Sequence, residues 1–289
     1  MFTEQKAMFI YAVSPLHMGA GTALGLIDSP IQREVHTDWP SMAGSGIKGA
    51  IRHALSGADG WRNGKLKVIF GPEAGAELHA GAISFTDAQI VCFPVRSLKR
   101  TFVYATCPTA LARLARLTGD DYTLPSVAES DALIIGDALI QDGRLILEAL
   151  AFNPRKEQAL TPIAESLAMS ALPEGFFADK LKTDLVVLSD TDFTHFVKTS
   201  TLVEPHVRID DATGTADGGG LFYTENLPPE TLLVSLLMAS DTRTGKKDGK
   251  LKAGEVIADL TGALNNGKVW QFGGDATTGR GLVMLRMAQ

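Results

Sequence analysis

The side chains able to do chemistry gather near the start of the chain. His17, Asp28, Glu34, His36 and Asp38 share one loop and can in principle collect a divalent metal. Asp28 is the candidate catalytic carboxylate of this set, yet Asp28-Ser29-Pro30 is also a stock turn sequence in which the aspartate bonds nearby backbone. The other histidines, His53, His79, His195 and His206, form no His-Glu-x-x-His motif and no zinc spacing with cysteine. No serine sits in a nucleophile elbow. Cys92 and Cys107 make no Cys-x-x-Cys pair and read as small core residues, in keeping with a reducing, cytoplasmic setting.

Two glycine-rich stretches could hold an anion. Gly44-x-Gly46-x-x-Gly49 matches a dinucleotide fingerprint by letter, but Pro40 rather than a strand precedes it, which argues against a nucleotide cofactor. What remains is a helix start at Ser45 with Lys48 and Arg52 one turn apart, fit to hold a phosphate through free N–H groups and two cations. The loop Gly273-Gly274-Asp275-Ala276-Thr277-Thr278-Gly279-Arg280-Gly281 is the densest local signal. Its glycines allow close backbone approach to a ligand, Thr277 and Thr278 can donate hydroxyls, and Arg280 can clamp a phosphate. A loose hairpin would use the same residues.

Charge supports an anionic partner only locally. The 289 residues carry a net charge of −6, which argues against a general nucleic-acid binder. Between Asp87 and Asp120, however, the charged residues are Arg96, Lys99, Arg100, Arg113 and Arg116, and Arg243, Lys246, Lys247, Lys250 and Lys252 cluster around Asp248 alone. Between Asp38 and Asp59 the charged side chains are Lys48 and Arg52, and segregation into three such clusters builds either a basic groove or three solvated faces.

Several elements can position these residues. The pattern predicts strands at 8–13, 82–85, 185–188, 232–238 and 282–287, with a further strand through Trp270 and Phe272. Helices are expected from a Ser45 cap to Gly57, from Pro108 to Gly119, from Thr161 to about Ala171, and over 255–264. Residues 203–223 read as an extended hairpin turning at Asp210–Gly214. Strands mixed with helices but not strictly alternating favour α+β. No apolar run spans a bilayer, and the polar first residues do not read as a signal peptide.

Three blocks carry a resemblance. Leu16-His-Met-Gly-Ala-Gly-Thr22, Asp28-Ser-Pro-Ile-Gln-Arg-Glu34, and Trp39-Pro through Gly44-Ser-Gly-Ile-Lys-Gly-Ala-Ile-Arg52 together resemble the RAMP superfamily. More narrowly, they resemble the backbone subunit of the type III-B (Cmr) CRISPR effector complex. Phe70-Gly-Pro-Glu73, Gly81–Asp87, Phe93–Lys99, Leu221–Glu225 and Gly273–Gly281 fit the same family in register, so the resemblance covers nearly the whole chain.

The resemblance implies one RAMP domain over residues 1–289. Its core would be a ferredoxin-like (RRM-like) palm with insertions and a projecting thumb β-hairpin within residues 190–226. It implies guide crRNA, target RNA, further copies of the chain in a filament and other effector subunits as partners, with target RNA cut at regular intervals. Asp28 would be the catalytic carboxylate, with His17 and Glu225 as further catalytic candidates. Ser45, Lys48, Arg52, Arg96, Lys99, Gly273, Gly274, Thr277, Thr278, Gly279 and Arg280 would contact RNA.

RNA brings its own 2′-hydroxyl nucleophile, so cutting needs in-line geometry, proton removal and charge stabilisation. Asp28 would take that proton or hold the divalent ion (Mg²⁺ or Mn²⁺) that does. An ordinary carboxylate, with a pKa of about 4, is a poor base, which favours the metal-ligand role. The rival readings are a non-catalytic RNA scaffold and a stand-alone, metal-independent guide-processing ribonuclease.

Overall fold

The computed structural model describes residues 1–21, 25–61, 64–73, 79–120, 122, 126–244 and 250–288. The strands are β1 (Glu4–Ala12), β2 (Ser41–Met42), β3 (Ile83–Phe85), β4 (Ala88–Arg96), β5 (Phe102–Thr106), β6 (Asp131–Ile134), β7 (Ile140–Gln141) and β8 (Arg144–Leu147). They continue as β9 (Leu150–Lys156), β10 (Leu185–Leu188), β11 (Leu202–Ile209), β12 (Ala216–Asn226), β13 (Leu232–Ala239), β14 (Val269–Gln271) and β15 (Leu282–Met287). The helices are α1 (Gly44–Ser56), α2 (Lys65–Phe70), α3 (Pro108–Thr118), α4 (Leu160–Ala171), α5 (Phe176–Asp184), α6 (Asp190–Thr199) and α7 (Ala253–Leu264). This is α+β, as the sequence suggests.

One large, mostly antiparallel sheet runs β14-β15-β1-β13-β4-β5-β10-β6-β9-β8-β7, and only β5–β10 and β6–β9 pair in parallel. Its central strands β1, β13, β4, β5 and β10 are buried on both faces because both are covered. Along β1, Met8, Ile10 and Ala12 enter one core with Ile47, Ile51 and Leu55 of α1 and Val256 and Leu260 of α7. Ala7, Phe9 and Tyr11 point the other way, into a core with Leu111 and Leu114 of α3 and residues of α4 and α5. Burial of a residue such as Phe9 stabilises the fold by about 2 kcal/mol. Cys92 and Cys107 are buried, and desolvation pushes both thiols well up, out of the reactive range.

Helix α3 ends where expected, on Gly119 in the left-handed region with its N–H on Ala115 O. Helix α1 departs from expectation: its cap is Ala43, not Ser45, and Ser45 is exposed in the first turn. A distant acceptor does the capping, since the Gly44 N–H donates to Asp87 Oδ1 at 2.8 Å. Gly44 is required there, because a Cβ would lie 2.1 Å from Phe85 O.

Strands β11 and β12 form a separate two-stranded hairpin. Its tip turns at Asp210, whose Oδ1 accepts the N–H groups of Ala212 and Thr213. Val203, Val207, Ile209 and Leu221 stay exposed along it. Among the described residues no helix is long and apolar enough to cross a membrane.

Candidate functional site: a carboxylate loop at the base of the hairpin

Three chain segments meet where β12 returns to the sheet. The first is residues 14–20, leaving β1. Leu16 bridges Leu227, and its N–H donates to Leu227 O at 2.9 Å. The second is the glycine-rich loop 273–281, tied back by Gly281 N–H to Pro15 O at 2.8 Å and Gly274 N–H to His17 O at 2.9 Å. The third is residues 28–33, which lie parallel to β12 through the Ser29–Thr224 bridge.

His17 sits at their junction. A carbonyl only accepts, so the 2.7 Å contact makes His17 Nδ1 the donor to Glu225 O and fixes that proton. The ring is buried, and Cβ atoms at Gly19 and Gly274 would come within 3.0 and 3.1 Å of it. Glycine at these positions therefore makes room for the imidazole.

Asp28 is exposed, and its Oδ2 accepts the Tyr223 N–H at 2.8 Å. Among the described residues no second hydrogen bond or ion pair engages it, which leaves Oδ1 for a ligand. The turn reading of Asp28-Ser29-Pro30 expects a bond to nearby backbone, whereas the backbone that Asp28 holds lies 195 positions away.

Glu225 is placed differently. Its side chain is only 5% exposed and ion-paired to Arg33 Nη2 at 2.5 Å. Oε1 also accepts Thr201 Oγ1–H at 2.8 Å, and Oε2 accepts the Ile31 N–H at 3.1 Å. With both oxygens occupied by protein, Glu225 is built to hold the loop. Arg33 and Thr201 were not singled out from the sequence. Nothing local marks them, because the shared partner lies 192 and 24 positions away.

The expected metal cluster does not assemble. Glu34 is engaged by Arg113 at 3.0 Å, His36 lies 3.6 Å from Glu34, and Asp38 pairs with Lys198 at 2.7 Å, while His17 faces Glu225. Among the described residues no group of three His, Cys, Asp or Glu side chains could hold a metal. For Mg²⁺ or Mn²⁺ the described side chains would offer Asp28 alone, and the rest of the shell would have to come from outside the protein.

The RNA-contact candidates fall into three groups. Gly273, Gly274, Thr277, Thr278 and Gly279 are exposed on the loop beside His17. Arg280 reaches the hairpin base, where it pairs with Glu204 at 2.6 Å. Lys48 and Arg52 lie along α1, away from its exposed Ser45. Lys48 Nζ donates to Ile83 O at 3.0 Å, and Arg52 Nη1 donates to Gly71 O at 2.7 Å. Burial, helped by the neighbouring Arg52 charge, lowers the Lys48 pKa. Arg52 Nη2 is buried with no hydrogen-bond partner among the described residues.

Arg96 pairs with Glu148 at 2.6 Å, and Lys99 is exposed. The basic run 96–116 is therefore largely offset by acids from other segments, since Arg100 faces Asp184 at 3.8 Å and Arg113 faces Glu34. In the later basic cluster Lys252 pairs with Asp241 at 2.8 Å, and Lys246 and Lys247 lie outside the described residues.

A large, mostly antiparallel sheet with a separate two-stranded hairpin frames the site, and the chain belongs to the RAMP superfamily, whose pattern matches residues 9–283. Within it, the chain is 35% identical over 288 residues to the CRISPR system Cmr endoribonuclease Cmr4 of Pyrococcus furiosus, covering 97% of this chain and 94% of that one. The crystal structure of oligomeric Cmr4 from Pyrococcus furiosus superposes with a TM-score of 0.72 at 28% identity, covering 98% of this chain and 97% of the other. A chain of the type III-B Cmr-beta complex bound to cognate target RNA shares the fold, with a TM-score of 0.75 at 21% identity over 99% and 98% of the two chains.

Proposed function

We propose that this chain is the guide-RNA-binding backbone subunit of a type III-B CRISPR effector complex, and the endoribonuclease that cuts complementary target RNA within it. The observation that carries this reading is 35% identity along nearly the whole of a named Cmr endoribonuclease. The exposed Asp28, bonded to Tyr223 at the hairpin base, is the carboxylate to which this reading assigns the cut. The order β15-β1-β13-β4, with α1 and α7 as crossovers, supports a ferredoxin-like palm, and β11–β12 supports the thumb. We read residues 1–289 as one domain acting in the cytoplasm with guide crRNA, target RNA, further copies of itself and other effector subunits.

In this reading the guide backbone runs over Gly273–Gly279 and the Ser45 end of α1. Lys48 and Arg52 turn from Ile83 O and Gly71 O toward phosphate when RNA arrives, and Arg96 and Lys99 extend the path. The thumb, with its exposed Val207 and Leu221, wedges between stacked bases and displaces one guide-paired position. The displaced nucleotide turns its 2′-oxygen into line with the leaving 5′-oxygen beside Asp28. Asp28 Oδ1 accepts the 2′-hydroxyl proton or orders its acceptor, while His17 and Glu225 hold the loop that carries it. A divalent ion bound through Asp28 would supply charge stabilisation for the phosphorane.

Product ends test the proposal. Reconstituted complex should yield a regular ladder whose fragments carry 2′,3′-cyclic phosphate (or 3′-phosphate) and 5′-hydroxyl termini. Fragments with 5′-phosphates would overturn the 2′-hydroxyl mechanism, and full activity in EDTA would remove the metal.

A further inference from the structure

The carboxylate loop and the thumb are joined by very little backbone. Ser29 N–H donates to Tyr223 O at 3.1 Å and Glu225 N–H donates to Ser29 O at 3.0 Å. Asp28 Oδ2 then takes the Tyr223 N–H at 2.8 Å. The orientation of Asp28 is therefore set by where β12 runs. The Leu16–Leu227 main-chain pair and His17 Nδ1 on Glu225 O also hold the base of β12, but none of these bonds reaches α6, the helix that leads into the hairpin.

A buried ion pair supplies the missing constraint. Arg33 Nη2 meets Glu225 Oε1 at 2.5 Å, with side chains 17% and 5% exposed. Arg33 Nη1 donates to Asp38 O at 2.8 Å and to Val197 O at 3.1 Å, the latter in the last turn of α6. One guanidinium thus ties the carboxylate loop, the helix before the thumb and the thumb's returning strand. Only a planar fork can serve carbonyls and a carboxylate in these directions, and an ammonium cannot span them. Without Arg33 the buried Glu225 charge loses its counter-ion and keeps only the neutral donors Thr201 and Ile31, which loosens β12 against α6.

We infer that Arg33 is a positioning residue for RNA cleavage, acting through Glu225 to fix the thumb base against Asp28, with Thr201 as a lesser member of the same clamp. This rests on the reading of Asp28 as the cleavage carboxylate. It implies that loosening the clamp slows the chemical step and blurs the place of each cut. Guide binding, which uses other surfaces, is left alone.

The experiment compares reconstituted complexes carrying wild-type chain, Arg33→Gln, Arg33→Lys, Thr201→Val, the double variant Arg33→Gln/Glu225→Gln, and Asp28→Asn. Single-turnover rate at saturating target, target affinity, guide occupancy and cut position are measured for each. Arg33→Gln should cut about thirtyfold more slowly, in the range expected for a misplaced catalytic group. It should also spread cuts onto neighbouring phosphodiesters, with affinity and occupancy held within about twofold. Arg33→Lys should fall between it and wild type, and Thr201→Val should lose about threefold, as one hydrogen bond is removed.

The double variant should be no slower than Arg33→Gln, because the two residues act as a unit. Sharp cuts at the wild-type rate in Arg33→Gln would overturn the clamp. So would a rate loss matched by an equal loss of guide occupancy with Thr201→Val inert. Should Arg33→Gln fail to assemble, Thr201→Val decides by rate and cut position. Full activity in Asp28→Asn would sink the underlying reading instead, whereas an inactive Asp28→Asn beside fully active clamp variants would sink the clamp alone.

Discussion

Replacing Gly273 by alanine tests how tightly the glycine-rich loop is seated on His17. Gly273 has φ +75°, and a Cβ there would lie 2.2 Å from His17 O. Gly279, in the same loop, has φ +81° but no atom within 4 Å of its would-be Cβ. Both alanine variants incur the left-handed backbone cost of about 1 kcal/mol. Gly273→Ala must in addition push the loop off His17 by about 1 Å to reach an ordinary contact. That breaks the 2.9 Å bond from Gly274 N–H to His17 O.

A lost hydrogen bond of about 1 kcal/mol and local strain of about 1–2 kcal/mol bring the total to ~3–4 kcal/mol. The difference of ~2–3 kcal/mol between the two variants corresponds to about 5 °C in Tm for a chain of this size. Thermal unfolding of the full chain by circular dichroism at one scan rate reads it directly. Gly273→Ala should also weaken guide RNA binding more than Gly279→Ala, because it moves the loop proposed to meet the RNA. Melting temperatures within about 1 °C of each other would refute the close approach and the packing role given to His17.

Other surfaces make separate predictions. Burial pushes the Glu230 carboxyl up to about 7, and its Oε2 has no partner among the described residues. A raised folded-state pKa means stability is full below the ordinary carboxylate pKa and lost as pH rises through about 7. Glu230→Gln should therefore stabilise the chain at pH 8, by ~1 kcal/mol after discounting for solvent screening, and have no effect at pH 4; an equal gain at both values would reject the assignment. Reversing Lys48 and Arg52 to glutamate should weaken guide binding uniformly across sequences and flatten its salt slope by about 2. An unchanged slope in a filter-binding titration would take α1 out of the RNA path. Deleting the hairpin tip, Asp210 to Gly219, should leave the sheet and its melting intact but abolish regularly spaced cuts on a sequencing gel.

Local rules carried much of the fold. Pro108 and Gly119 bracket α3, and the apolar run 232–239 is β13. The alternation of Val207 and Ile209 with His206 and Arg208 marked the hairpin. Other elements were less legible. Strand β4 carries Pro94 and is buried on both faces, so it shows neither alternation nor a clean run. Strands β8 and β9 owe their pairing to each other and to β6 rather than to any propensity.

At the site, the turns of the glycine-rich loop were readable because Gly273, Gly279 and Gly281 take positive φ, whereas Asp28 stood out only through the family resemblance. Ser45 was misjudged as a cap because Asp87 reaches Gly44 from 43 positions away. The pairing of Arg33 with Glu225 and of Arg280 with Glu204 required the fold itself. Charge counts overstated the basic groove for the same reason, since the neutralising acids come from distant segments.

The central claim is that Asp28 cuts target RNA within the assembled complex. Asp28→Asn keeps the side-chain volume and can still accept the Tyr223 N–H, so folding should change by less than about 1 kcal/mol. Single-turnover cleavage of labelled target by excess reconstituted complex, in Mg²⁺ or Mn²⁺, is the direct measurement. The account predicts normal guide loading and target capture with cleavage slowed at least about a hundredfold, the usual loss for an acid–base group. Cleavage at the wild-type rate by a fully loaded Asp28→Asn complex would contradict it.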